Sequence, residues 1–329
     1  MIGFPKISTA SQVTSEADAE QTSTAVASTP SRPHTGYGAL HELVSADRLQ
    51  RKDYSAPVRQ VRTETLDNLH RAQATVVDVK QRLSYGQGNQ LPDIVQTWGE
   101  SYVRMSYARH RATLRSEGGT SEAELHQHAE AALAFQAGNC GDTAALSYLH
   151  LAGGPSLNAP LLLVSDQEQD HDYALIGDPR DSRWGTKNTV VVDAWTQFPS
   201  AYTLADADGL MPCPADHERP PGTEPSTDAR RLFDSSETVS SKSIAGALEQ
   251  DKHAEIGPKL LKEVLEDADP SELWDVRTGA LDPSTRYTDG ASAPTSFDHL
   301  PQSLIRRQEA AIDAMERYQR EPGNKLRGS

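Results

Sequence analysis

The feature that most constrains the fold is a change of period at Gly153-Gly154-Pro155. Before it, Thr143 to Leu151 (TAALSYLHL) is apolar on nearly every side. A helix of that kind has no face to give to water, so it must run through the interior of a domain. After it come three short apolar runs, 160–164 (PLLLV), 172–177 (DYALIG) and 189–193 (TVVVD). Their length and β-branched content read as strands, the third buried on both faces. The polar stretch 178–188 reads as a hairpin connection between the last two. A buried helix followed by consecutive strands sets the class as α+β, with a central helix packed on a small antiparallel sheet.

Around this core, 119–210, the periodicity is helical. Leu40, Leu43 and Val44 space as a short helix, and Val58, Val61, Leu66, Leu69, Ala72, Val76, Val79 and Leu83 as a long amphipathic one. Gly86 to Pro92 breaks the pattern, and a second long helix is expected from Ile94 through Leu114, carrying Trp98, Tyr102, Met105 and Tyr107. Residues 36–118 thus read as a helical domain. Ser121 and Glu124 form a capping box that starts a helix reaching about Phe135. Five prolines between 211 and 229 mark 211–245 as a linker or long surface loop. Residues 246–329 read as a helical C-terminal extension, one helix through Leu260, Leu261, Val264 and Leu265, another through Leu304, Ile305, Ala310, Ile312 and Met315. Ser and Thr fill 12 of the first 35 positions, and no apolar period survives there, so this arm is expected to be disordered.

Composition narrows the partners. Hydrophobic residues make up 36% of the 329, which leaves room for linker as well as core. A net charge of −15 argues against nucleic acid or an anionic membrane as the partner. No apolar run approaches the ~18 residues of a membrane helix, so no stable insertion is expected. The N-terminus lacks a basic-then-apolar signal pattern, and the two cysteines, Cys140 and Cys213, do not make a disulfide framework. The expected compartment is reducing.

Three polar residues stand at the ends of core elements. Cys140 opens the central helix, His171 opens the second strand and Asp193 closes the third. A cysteine nucleophile, a histidine base and an orienting carboxylate need this kind of placement. A thiol of pKa ~8.5 becomes a nucleophile when a helix N-terminus and an imidazolium lower it to roughly 3.5–7.5. Asn139 is a suitable N-cap for that helix, and the flanking Gly138 and Gly141 leave room for a substrate backbone. Asp193 can accept from the imidazole and fix its tautomer. An oxyanion would be stabilised by the Cys140 N–H and one side-chain donor, for which Gln136 is the candidate, with Asn139 and Trp195 as further substrate-site candidates. Against this stand ordinary structural roles. A lone cysteine in a small-residue helix is usually a core residue, a histidine beside acids is more often at the surface, and a strand-end aspartate more often caps a turn. The joint placement of the three favours chemistry. His150 is a rival base, but ten residues along a helix place it ~15 Å from Cys140; His126 and His128 lie on the preceding helix. Cys213 and His217 make one Cys-x3-His pair and no second, so no metal site is expected. No dinucleotide or phosphate loop occurs, and no cofactor is expected.

The segments AGNCGDTAALSYLHL, DHDYALIGD and NTVVVDAW resemble bacterial type III effectors of the AvrPphE (HopX/XopE) family, with a papain/transglutaminase-like fold. The dermonecrotic-toxin papain-like deamidase domains share the layout more distantly. The resemblance covers about residues 121–205. It implies a Cys-His-Asp triad at Cys140, His171 and Asp193. It also implies type III secretion from a plant pathogen into the host cytoplasm, a host protein substrate and a target-binding role for 36–118. A Ser/Thr-rich start suits such a secretion signal, on which a secretion chaperone would act. The chain departs from related sequences at Asp142, where Glu is frequent; its charge opposes thiolate formation unless it caps the helix.

The function expected is therefore a thiol acyltransferase or hydrolase, transglutaminase-, deamidase- or protease-like, that suppresses or triggers host immunity. The alternative is a catalytically silent effector that binds a host protein through its helical regions. A housekeeping hydrolase is a third reading, which the N-terminal arm disfavours.

Overall fold

The computed structural model describes residues 36–116, 121–234 and 237–322. The arm expected at 1–35 and the Gly118-Gly119 break lie outside the described residues. The class is α+β. In chain order the first elements are β1 (Tyr37–Ala39), α1 (Leu40–Leu43), β2 (Val58–Gln60) and α2 (Thr63–Arg82). Then come β3 (Gly86–Gln87), α3 (Leu91–Gln96), α4 (Glu100–Ser116), α5 (Ser121–Phe135) and β4 (Ala137–Gly138). The centre is α6 (Cys140–Gly153), β5 (Leu161–Asp166), β6 (His171–Ile176), α7 (Gly185–Asn188), β7 (Val190–Val192) and β8 (Tyr202–Thr203). The rest is β9 (Ala215–Arg219), α8 (Thr227–Asp234), α9 (Ser241–Gln250), α10 (Pro258–Asp267), β10 (Arg286–Thr288), β11 (Thr295–Ser296), β12 (His299–Pro301) and α11 (Gln302–Arg320).

The largest sheet has five strands in the order β8-β7-β6-β5-β9, and every neighbouring pair is antiparallel. Helix α6 packs on it. Leu146 and Leu149 of the helix share one apolar cluster with Leu162, Leu175 and Val191 of the strands. The all-round apolar helix is thus buried as its composition requires, and β7 is buried along its length.

Five segments depart from the sequence pattern. The long N-terminal helix starts at Thr63, because Val58 to Gln60 pairs in parallel with β10 as a strand. Its Leu69, Val76 and Val79 belong to the same cluster as α6 and the sheet. The expected helix from Ile94 to Leu114 is two helices, broken where Trp98 (φ 55°) and Gly99 (φ 88°) take left-handed conformations. The proline-rich stretch contains β9, which pairs with the edge of β5, and α8. The connection 178–188 contains α7. The C-terminal region is not helical throughout: β10 pairs with β2 and β12 with β1, so it folds back onto the start of the described chain. Among the described residues no helix is long and apolar enough to cross a membrane.

Candidate active site

The site begins with how α6 starts. Asn139 is extended (φ −119°, ψ −165°) and precedes the first helical residue, Cys140. Its side chain accepts from the Asp142 N–H at 3.1 Å, and the Asp142 carboxylate accepts from the Asn139 N–H at 3.0 Å. This reciprocal cap uses Asp142 where the usual box has Glu or Gln. It also resolves the charge conflict at Asp142, whose carboxylate is buried and committed to the cap. The cap does not use the N–H groups of Cys140 and Gly141, which stay at the positive end of the helix.

The two flanking glycines lie against acidic side chains. A Cβ on Gly138 would lie 2.8 Å from the Asp142 Cβ, and one on Gly141 would lie 2.9 Å from the Asp172 carboxylate. Both positions thus leave room for acidic neighbours of the cysteine. Upstream, Gln136 follows α5 with φ 56°, and its carbonyl accepts from the Tyr85 N–H. Strands β3 and β4 pair in parallel there, which sets Gln87 beside Gly138.

The strands deliver the other two residues. His171 pairs with Asp166 at the turn end of the β5–β6 hairpin. Strand β7 pairs Val192 with Ala174, which brings the following Asp193 toward the same end. The result is a hydrogen bond between His171 Nε2 and Asp193 Oδ2 at 3.0 Å, with both side chains buried. The other oxygen, Oδ1, accepts from the Trp195 N–H at 2.9 Å. An ionised carboxylate only accepts, so Nε2 carries the hydrogen and Nδ1 is the basic nitrogen. Nδ1 is buried with no hydrogen-bond partner among the described residues, and with Nε2 committed it is the nitrogen available to Cys140. Burial by itself would drive His171 neutral. The Asp193 carboxylate outweighs it by charge and hydrogen bonding, and Cys140 acts in the same sense, so the imidazole rises from 6.5 to about 10.

Trp195 completes the wall. Its ring lies 4.7 Å from the imidazole at 40°, and its Nε1 donates to Asn89 Oδ1 at 2.9 Å. Tyr173 stacks on the imidazole at 5.7 Å. The structure thus brings Cys140, His171, Asp193 and Trp195 together, with Asn139 as the helix cap and Gln136 at the entry to the strand before it.

The rival bases are occupied elsewhere. His150 lies 3.0 Å from Thr75 Oγ1 and 3.3 Å from Asp78, on α2. His128 faces Asp142 at 3.5 Å. Cys213 donates to the Met211 carbonyl, and burial pushes its thiol up, with Asp166 adding to the effect. Among the described residues no group of three His, Cys, Asp or Glu side chains is placed to hold a metal ion.

Sequence reasoning missed Lys80, Asn89 and Asp93. Lys80 is fully buried, and its Nζ donates to the carbonyls of Thr196 (2.7 Å) and Trp195 (3.3 Å). Desolvation lowers it to about 8, with Asp93 and Asp193 opposing and Arg307 adding to the fall. Its signal was present: it stands four residues after Val76 on the apolar stripe of α2, where a lysine is out of place. Asn89 and Asp93 gave no comparable signal, since both lie in a stretch that reads as a loop.

Comparison with protein-family models, with curated protein sequences and with solved structures found no match to this chain.

Proposed function

We propose that the chain is a cysteine-dependent acyl-transfer enzyme of the papain/transglutaminase-like kind, with Cys140 as nucleophile, His171 as base and Asp193 as orienting group. One observation carries this reading: the buried His171–Asp193 pair, with the remaining imidazole nitrogen unpartnered beside a cysteine that opens a capped helix. A structural histidine would be expected to use both nitrogens.

The chemistry follows from these roles. His171 Nδ1 takes the Cys140 proton, and the imidazolium is held by Asp193. The thiolate attacks the carbonyl carbon of a carboxamide or peptide bond. Negative charge develops on the carbonyl oxygen, where the Cys140 N–H at the helix N-terminus can donate to it. Gln136 is the side-chain donor proposed from sequence. His171 returns the proton to the leaving nitrogen as the C–N bond breaks, which leaves an acyl-thioester on Cys140. Water then gives deamidation or proteolysis, and an amine gives a new amide.

We further propose, on the sequence resemblance alone, that the substrate is a host protein reached by type III secretion. The test is incubation of host extract with wild-type protein and with Cys140→Ala. Mass spectrometry then reads a new carboxylate, a new terminus or an isopeptide link that depends on Cys140. Products identical for both proteins would refute the enzyme reading for that extract and favour the silent binder.

A further inference from the structure

Lys80 is unusual for a core residue. Its side chain is fully buried on α2, yet no carboxylate lies within ion-pair distance of it among the described residues. Asp93 and Asp193 act on it only from further away, and Arg307 repels it while donating to the Lys80 carbonyl. Burying an ammonium without a close counter-ion is costly, and an apolar side chain of the same length would fill the space without that cost. Packing alone therefore does not account for a lysine here.

What its charge does hold is the turn after β7. Strand pairing with β6 ends at Val192, so the residues that follow need another anchor. Lys80 Nζ takes the carbonyls of Trp195 and Thr196. The same turn presents three groups to the site. These are the Asp193 carboxylate on His171, the Trp195 N–H on Asp193, and the Trp195 ring over the imidazole. Other ties act on the ring and on the end of the turn: Trp195 Nε1 donates to Asn89, and the Gln197 N–H donates to the Val276 carbonyl at 3.0 Å, which leaves Lys80 as the partner of the Trp195 and Thr196 carbonyls between them.

We infer that Lys80 is a positioning residue of the active site, holding turn 193–197 so that Asp193 and Trp195 keep their places on His171. The inference rests on the Cys-His-Asp reading of the site. Lys80 touches neither substrate nor the reacting atoms, and acts through Asp193. A shift of the turn by about 1 Å is enough to cost on the order of 100-fold in rate.

The test compares wild type, Lys80→Met and Lys80→Gln. Three readouts are used: the circular dichroism spectrum, the His171 imidazole titration followed by NMR, and the Cys140-dependent burst with p-nitrophenyl acetate. Lys80→Met is expected to fold, to lower the burst rate about 100-fold and to move the His171 titration. Lys80→Gln keeps a donor without the charge and should fall between the two. A folded Lys80→Met with a burst within threefold of wild type and an unmoved His171 titration overturns the inference. If Lys80→Met does not fold, Lys80→Gln is judged by the same criteria. Failure of both to fold also overturns it, by making Lys80 a residue of the core alone. A wild-type protein with no Cys140-dependent burst would count instead against the catalytic reading, and the His171 titration would still decide the role of Lys80.

Discussion

Asp193→Asn is the perturbation with the clearest consequence. The substitution is nearly isosteric, and the amide oxygen can keep the Trp195 N–H. What it removes is the negative charge 3.0 Å from His171 Nε2. The amide would present its NH2 to Nε2, which must then accept, so the hydrogen moves to Nδ1 and the base disappears. The analogous exchange in a serine-protease triad lowers kcat by about 10,000-fold, and a loss of that order is expected here. The pKa gives a second magnitude. A rise from 6.5 to about 10 corresponds to on the order of 5 kcal/mol of preference for the imidazolium in the folded state. Because the folded pKa is raised, this contribution is fully present below pH 6.5 and is lost as pH climbs through about 10. Urea unfolding of wild type and Asp193→Asn should therefore differ by several kcal/mol at pH 6 and by little above pH 11. NMR of His171 should show imidazolium at pH 8 in wild type and neutral imidazole in the variant. Superimposable His171 titrations would refute the reasoning, as would a stability gap that does not close at high pH.

Other substitutions probe the frame around the site. Asn139→Ala removes the cap and should cost about 1 kcal/mol in denaturant unfolding, with slower alkylation of Cys140 because the helix start frays. Gly138→Ala should be destabilising by about 1–3 kcal/mol in the same assay, since its methyl would lie 2.8 Å from the Asp142 Cβ, an atom that side-chain rotation cannot move away. Leu146→Ala, at the fully buried centre of α6, should cost about 2–5 kcal/mol in the same assay.

The core of this fold was legible because its signals were local. An all-round apolar helix followed by short β-branched runs leaves few arrangements, and Cys140, His171 and Asp193 mark element ends by sequence alone. The edges were not legible, because they depend on distant partners. Val58 to Gln60 looks like helix until β10, more than 200 residues later, pairs with it. Ala215 to Arg219 looks like a loop until β5 offers an edge. Trp98 breaks a helix that its periodicity would continue, through a left-handed residue that only the tertiary setting selects. Within the site, the contact between Gly141 and Asp172 was hidden for the same reason: β6 meets the start of α6 only in the fold. Lys80 was overlooked although it interrupts an apolar stripe, because a lysine near a helix end ordinarily faces water.

The central claim is that His171 activates Cys140, and the chain carries its own control in Cys213. Both thiols are free and half-buried, but Cys213 has Asp166 beside it, and its thiol is pushed up. The rates of iodoacetamide labelling of the two cysteines at pH 6.5, read in one sample by peptide mass spectrometry, test the claim directly. Cys140 should label about 100-fold faster than Cys213, and His171→Ala should bring the two rates together. Equal rates in wild type, or a Cys140 rate that His171→Ala leaves unchanged, would contradict the account.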